Sequence, residues 1–124
     1  MGAAEPGRGP ARRAILLPAS ALPAVPHGAT KNLGTLGAYT FLWNVLGLPA
    51  GVVPWTKVRA DEEVGRTKTR DIVANTARSA EIGSAGLPIG VQVVGRAGRD
   101  HETLAIMRAL EKESLRLGEH PGMP

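Results

Sequence analysis

General acid–base chemistry at neutral pH uses histidine, or a carboxylate whose proton affinity has been shifted. The chain holds three histidines, His27, His101 and His120, far apart in sequence. His101 falls in the first turn of an expected exposed helix, and His120 in a Pro/Gly-rich end, so both are expected at the surface. His27 sits in a proline-punctuated loop, where function often resides, but with no visible partner. His101-Glu102 is not followed by a second histidine at metal-ligand spacing. With no cysteine, a thiolate metal site is excluded. Asp61-Glu62-Glu63 reads as a solvated charge run rather than a metal cluster. Gly83-Ser84-Ala85-Gly86 places a serine between glycines, but ahead of a strand rather than on the strand-to-helix turn of a nucleophile elbow. Phosphate-loop and dinucleotide fingerprints are absent. The residues taken alone therefore give no catalytic, metal-ligating or cofactor-binding set, and no cofactor is expected.

Composition and charge narrow the class. The 124 residues allow one domain at most. Gly (16) and Pro (10) make up about a fifth of the chain, and the aromatics are only Tyr39, Phe41, Trp43 and Trp55. The net charge of +4 invites a nucleic-acid reading. Its distribution argues against one: the excess lies before Asp61, mostly in Arg8, Arg12 and Arg13 plus isolated lysines, while the rest of the chain is close to balanced. There is no basic helix stripe and no aromatic platform interleaved with charge. Arg96-Ala97-Gly98-Arg99 is a single element and is expected to be a turn. No apolar run reaches transmembrane length and the start lacks a secretory pattern, so the default expectation is a cytoplasmic protein.

The elements that must position any site are short. Residues 1–13 read as a disordered leader. Ala14–Leu17 is expected to be a buried strand stopped by Pro18. Three prolines, Pro18, Pro23 and Pro26, then enforce a loop. Thr35–Leu46 reads as a helix capped by Gly47 and stopped by Pro49. It carries no charge, so it must be buried on all sides, and little else in the chain is large enough to surround it. Ala50–Val58 reads as a strand with Pro54 at an edge or bulge. Thr69–Ala80 fits an amphipathic helix with Ile72, Val73, Thr76, Ala77 and Ala80 on its apolar side. Leu87–Gly95 is the clearest strand, with Ile89, Val91 and Val93 facing one way and Gly90, Gln92 and Val94 the other. The last helix runs from Asp100, expected as N-cap, to Leu117, with Ile106, Met107, Leu110, Ser114 and Leu117 on one stripe. Residues 119–124 form a tail. Alternating strands and helices suggest an α/β arrangement.

Two stretches resemble the C-terminal part of the amidase signature family. Tyr39-Thr-Phe-Leu-Trp-Asn44-Val-Leu-Gly47-Leu-Pro49-Ala50-Gly51-Val-Val-Pro54 is similar to the family's Asn-x-x-Gly-x-Pro-Ala-x-x-x-Pro pattern. Gly86-Leu87-Pro88-Ile-Gly90-Val-Gln92-Val-Val-Gly95, followed by Glu102-Thr-Leu104 and Glu111, is similar to the Gly-Leu-Pro-x-Gly-x-Gln-x-x-Gly strand and closing helix. The first stretch looks closest to the fatty acid amide hydrolase branch. Residues 14–118 are therefore expected to be the C-terminal part of an α/β amidase-signature domain, a few strands and helices of a larger mixed sheet. Asn44 and Gln92 are expected to be buried amides needing partners, and Gly90 and Gly95 to admit a neighbouring backbone.

The resemblance also implies what this stretch lacks. Members hydrolyse carboxylic amides through a Ser–cis-Ser–Lys triad carried in the N-terminal half. Here no Gly/Ser-rich run accompanies Lys31, Lys57, Lys68 or Lys112, and a lysine base needs a desolvated site beside its serine. The expected role is a fragment inactive alone, acting on a small-molecule amide only within a complete domain, with fatty acyl amides the expected class. Family analogy makes Gly37 and Phe41 pocket-wall positions; the alternative for Phe41 is a core residue. The competing expectations are a non-catalytic partner-binding module and, last, a basic nucleic-acid binder. The uncharged helix predicts that the isolated chain aggregates.

Overall fold

The computed structural model describes residues 13–122. The expected leader lies outside the described residues except for Arg13, as do the last two residues of the expected tail.

Strand β1 (Ala14–Pro18) leads into the proline loop. Single 3-10 turns at Ala29–Lys31 and Gly34–Gly37 precede helix α1 (Ala38–Val45). Strand β2 (Ala50–Lys57), helix α2 (Ile72–Glu81), strand β3 (Pro88–Gly95) and helix α3 (Asp100–Leu117) follow. The described strands form one sheet in the order β1-β3-β2, antiparallel throughout. The α/β reading holds, and β3, the clearest strand in the sequence, is the central one.

Local chemistry sets the boundaries. At the end of α1, Gly47 N–H donates to Asn44 O and Leu48 N–H to Trp43 O, with Gly47 at φ +62°. This is a Schellman closure, which requires the left-handed residue glycine supplies. Helix α2 starts at Ile72 rather than Thr69 because Asp71 caps it, accepting from Val73 and Ala74 N–H at 2.8 and 3.4 Å. The expected cap of α3 is displaced by one residue. Arg99 is the N-cap and makes no side-chain capping bond, while Asp100 is already helical. An acid in the first turn still suits the helix dipole. The register of β2 skips Trp55, since Pro54 pairs with Gly90 and Thr56 with Ile89. This is the bulge that Pro54 signalled.

Helix α3 packs on one face of β2 and β3. Met107 lies against Gly51 and Thr103 against Gly95. Cβ alternation assigns this face to Gly51, Val53, Val91, Val93 and Gly95. The opposite face carries Ile15, Val52, Gly90, Gln92 and Val94. Val93 and Val94 are both fully buried, so β3 is covered on both sides at that point. Leu33, Val53, Ala77 and Ala80 complete the buried apolar set.

Four expectations are corrected. Strand β1 is an edge strand with Ile15 and Leu16 half exposed, because among the described residues it pairs on one side only. Helix α1, expected to be buried all round, has no buried residue. Asn44 on it is exposed. Gly90 and Gly95 accommodate side chains rather than backbone: a Cβ on Gly90 would meet Val52 Cγ1 at 2.5 Å, and one on Gly95 would collide with the Thr103 hydroxyl.

Candidate functional site

The serines and lysines are the groups from which an acyl-transfer site would be assembled. Ser79 Oγ donates to Asn75 O, Ser84 Oγ to Glu81 O, and Ser114 Oγ to Trp55 O. Ser20 Oγ accepts from Leu22 N–H. None of these hydroxyls bonds to a lysine or histidine among the described residues. Lys31, Lys57, Lys68 and Lys112 are all exposed, so none has the desolvated site beside a serine that a lysine base needs. The described serines are thus tied to main chain, as capping and tethering groups.

The histidines separate as well. His101 is exposed, as expected, and so is His27 in the proline loop. His120 is half-buried rather than at the surface. Its Nδ1 accepts from Gly122 N–H, and its Nε2 is buried without a partner among the described residues. The chain end is drawn in by its neighbours: Glu119 Oε2 accepts from Thr56 Oγ1 at 3.2 Å and pairs with Arg59 at 3.7 Å.

The acidic run is only partly solvent-facing. Glu62 accepts from Arg59 N–H, while Glu63 accepts from Gly83 N–H at 2.6 Å and Ala85 N–H at 3.1 Å. These two N–H groups hold the Glu63 carboxyl below the usual glutamate range. Its role is to clamp the loop ahead of β3. No group of three potential metal ligands occurs among the described residues. The Arg66 guanidinium likewise holds Glu81 low, through Nε and Nη2 bonds to Oε1. Arg96-Ala97-Gly98-Arg99 is the expected turn, with Gly98 at φ +68° and Arg99 N–H donating to Arg96 O. Both arginines pair with Glu102, at 3.1 and 3.4 Å.

What remains is concave and apolar. A groove of about 460 Å³ opens between the proline loop and the sheet face turned away from α3. Leu22, Pro23, Leu36, Val52 and Gly90 line it, and no ionisable side chain among the described residues does. The absent side chain at Gly90 lets Val52 lean over that residue. The sequence marked the loop through its prolines, but not the groove, which needs the β2–β3 register to exist. Gly37 and Phe41 do share a surface: the Phe41 ring lies directly over Gly37, where a Cβ would collide with it. Phe41 is 60% exposed, and neither residue lines the groove. Gln92 is buried as expected, but its Oε1 has no hydrogen-bond partner among the described residues. Among the described residues, no helix is long and apolar enough to cross a membrane.

The amidase family model matches residues 12–104. The chain is 38% identical over 100 residues to fatty acid amide hydrolase 1 of Caenorhabditis elegans, covering 78% of this chain and 18% of that protein. It is 34% identical over 94 residues to fatty-acid amide hydrolase 1 of Sus scrofa, covering 73% and 16% respectively. It is 38% identical over 90 residues to an amidase of Gibberella moniliformis, covering 73% and 14%. The chain therefore spans less than a fifth of the length of each of these relatives. No solved structure matches.

Proposed function

The chain belongs to the amidase family, and from that premise we propose that it is the C-terminal scaffold segment of a carboxylic amide hydrolase whose substrate is a fatty acyl amide. The observation that carries this reading is the identity to the two fatty acid amide hydrolases over about three-quarters of the chain. The reaction is hydrolysis through a serine acyl-enzyme, with the nucleophile and lysine base supplied from outside this segment. The backbone-tied serines and exposed lysines support that division of labour. Residues 14–118 act as the domain segment, with 119–124 as its tail. Gly37 and Phe41 contribute pocket wall: a ring laid over a glycine gives a flat apolar surface suited to an acyl chain. The chain by itself is inactive, cytoplasmic and without a nucleic-acid partner.

The test is a chimera in which residues 12–104 replace the matching stretch of the Caenorhabditis elegans relative, assayed on a fatty acyl p-nitroanilide. We expect the chimera to turn over and the 124-residue chain alone to be inert. A soluble, folded but inactive chimera sinks the assignment. Serine-inhibitor-sensitive turnover by the chain alone sinks the scaffold role. In the chimera, Phe41→Ala is expected to raise KM for long acyl chains more than it lowers kcat, the pattern of lost uniform binding.

A further inference from the structure

The segment joining β2 to α2 differs from the other connections in its chemistry. Residues 63–69 take no regular structure, and Arg66, Thr67, Lys68, Thr69 and Arg70 are all exposed. No acidic residue stands between Glu63 and Asp71. The run therefore offers solvent three cations and two hydroxyls. An exposed run without helix or ladder bonds is the form in which a peptide segment enters another protein's cleft.

The two hydroxyls are not equivalent. Thr69 Oγ1 accepts from Asp71 N–H at 3.1 Å, and it donates to no acceptor among the described residues. The Thr69 main chain is held by Asn75, whose Oδ1 accepts from Thr69 N–H at 3.0 Å and whose Nδ2 donates to Thr69 O at 2.7 Å. Thr69 thus presents its oxygen from a fixed backbone just ahead of α2. Among all the serines and threonines of the chain, Thr69 alone follows an arginine, Arg66, by three residues. Ser84, Thr103 and Ser114 are buried besides.

We propose that Thr69 is a phosphoryl-acceptor site for a protein kinase that reads arginine at this spacing, and that the Arg66–Glu81 pair gates it. The Thr69 oxygen attacks the γ-phosphorus of ATP, the bond from that phosphorus to the bridging oxygen breaks, and ADP leaves. The hydroxyl proton passes to the kinase's catalytic aspartate. The gate follows from where Arg66 sits. Its N–H donates to Glu81 Oε2 at 2.9 Å and its Nε to Oε1 at 2.8 Å. Gly65 beside it packs against Ile82, so the segment lies along the end of α2. The Arg66 side chain is 48% exposed, and an ion pair this open to water holds weakly. A kinase carboxylate that takes the guanidinium must displace Glu81, so the pair sets how readily the segment is recognised. The site does not depend on the hydrolase reading.

The experiment incubates the full 124-residue chain with ATP and a calcium/calmodulin-dependent protein kinase whose acceptors follow an arginine by three residues. The phosphate is located by peptide mass spectrometry, and initial rates are compared among variants with matching circular dichroism spectra. We expect a single phosphate on Thr69, absent from Thr69→Ala, kept by Thr69→Ser and unaffected by Thr67→Ala. Arg66→Gln should slow the reaction at least roughly tenfold, the effect of losing one charge-assisted contact to the kinase. Loss of the Glu81 pair loosens the segment, so a slower reaction reports recognition rather than access. Glu81→Gln should speed the reaction about two- to fivefold by releasing Arg66. Phosphate on any other residue, or on Thr69 only after heat denaturation, overturns the proposal. So does an Arg66→Gln rate equal to wild type, or a Glu81→Gln rate no higher than wild type.

Discussion

Removing the Ser114 hydroxyl tests how α3 is fastened to the sheet. Ser114 is fully buried, and its Oγ donates to Trp55 O at 2.6 Å. Trp55 is the residue skipped by the β2–β3 register, so the bulge leaves its carbonyl without a ladder partner and Ser114 supplies the donor. Ser114→Ala leaves that partly buried acceptor unsatisfied, which costs about 1–3 kcal/mol. Alanine's better helix propensity returns roughly 0.5 kcal/mol. The net loss is about 0.5–2.5 kcal/mol. With a urea m-value of about 1–2 kcal/mol/M for a small domain, the unfolding midpoint falls by roughly 1 M. The assay is urea unfolding at low protein concentration, followed by fluorescence of Trp43 and Trp55. Ser79→Ala is the control: that hydroxyl is exposed and only bonds back to Asn75 O at 3.1 Å, so its removal should stay within about 0.5 kcal/mol. If both variants unfold at the wild-type midpoint, the hydroxyl is not what joins the helix to the bulge.

Packing, charge and exposure give three further outcomes. Gly95→Ala should lose about 1–3 kcal/mol by overpacking against the buried Thr103, whereas Gly51→Ala meets only the flexible end of Met107 and should lose less than about 1 kcal/mol; equal losses in urea melts would contradict the close packing at Gly95. The Glu63 carboxyl titrates below its unfolded value, so it stabilises the fold above the ordinary glutamate range and that contribution fades as pH falls through the lowered pKa. The stability gap between wild type and Glu63→Gln should therefore be widest at neutral pH and close at acid pH, and a gap unchanged down to pH of about 3 rejects the clamp. Finally, the isolated chain should bind a hydrophobic dye and aggregate on concentration, with Val45→Glu lowering the dye signal and Leu115→Glu leaving it unchanged; equal signals from all three proteins would remove α1 as the sticky surface.

Much of the local structure was legible in the residues. Gly47 and Pro49 end α1, Pro54 marks the bulge in β2, and alternating Val and Ile define β3. Each of these acts within a few residues, through a fixed φ, a missing N–H or a two-residue period, so no distant contact is needed to decide it. The two motif stretches carried the family as well, because their order and spacing survive in the linear chain. The sequence stripe on α3 already included Ser114, but as one more inward position.

Tertiary structure decided what each inward position meets. Ser114 became a tether only when β2 skipped Trp55 and presented a free carbonyl. Gly95 is small because Thr103 crosses it, and Glu63 became a clamp because the loop at Gly83 folds back onto it. The exposure of α1 was likewise invisible to periodicity: an uncharged helix specifies that it must be covered, while only the assembled sheet shows that the covering atoms are not among the described residues. Local chemistry selects elements, but contacts between residues far apart in sequence depend on register and packing. The groove, the tethers and the exposed face of α1 all arise at that level.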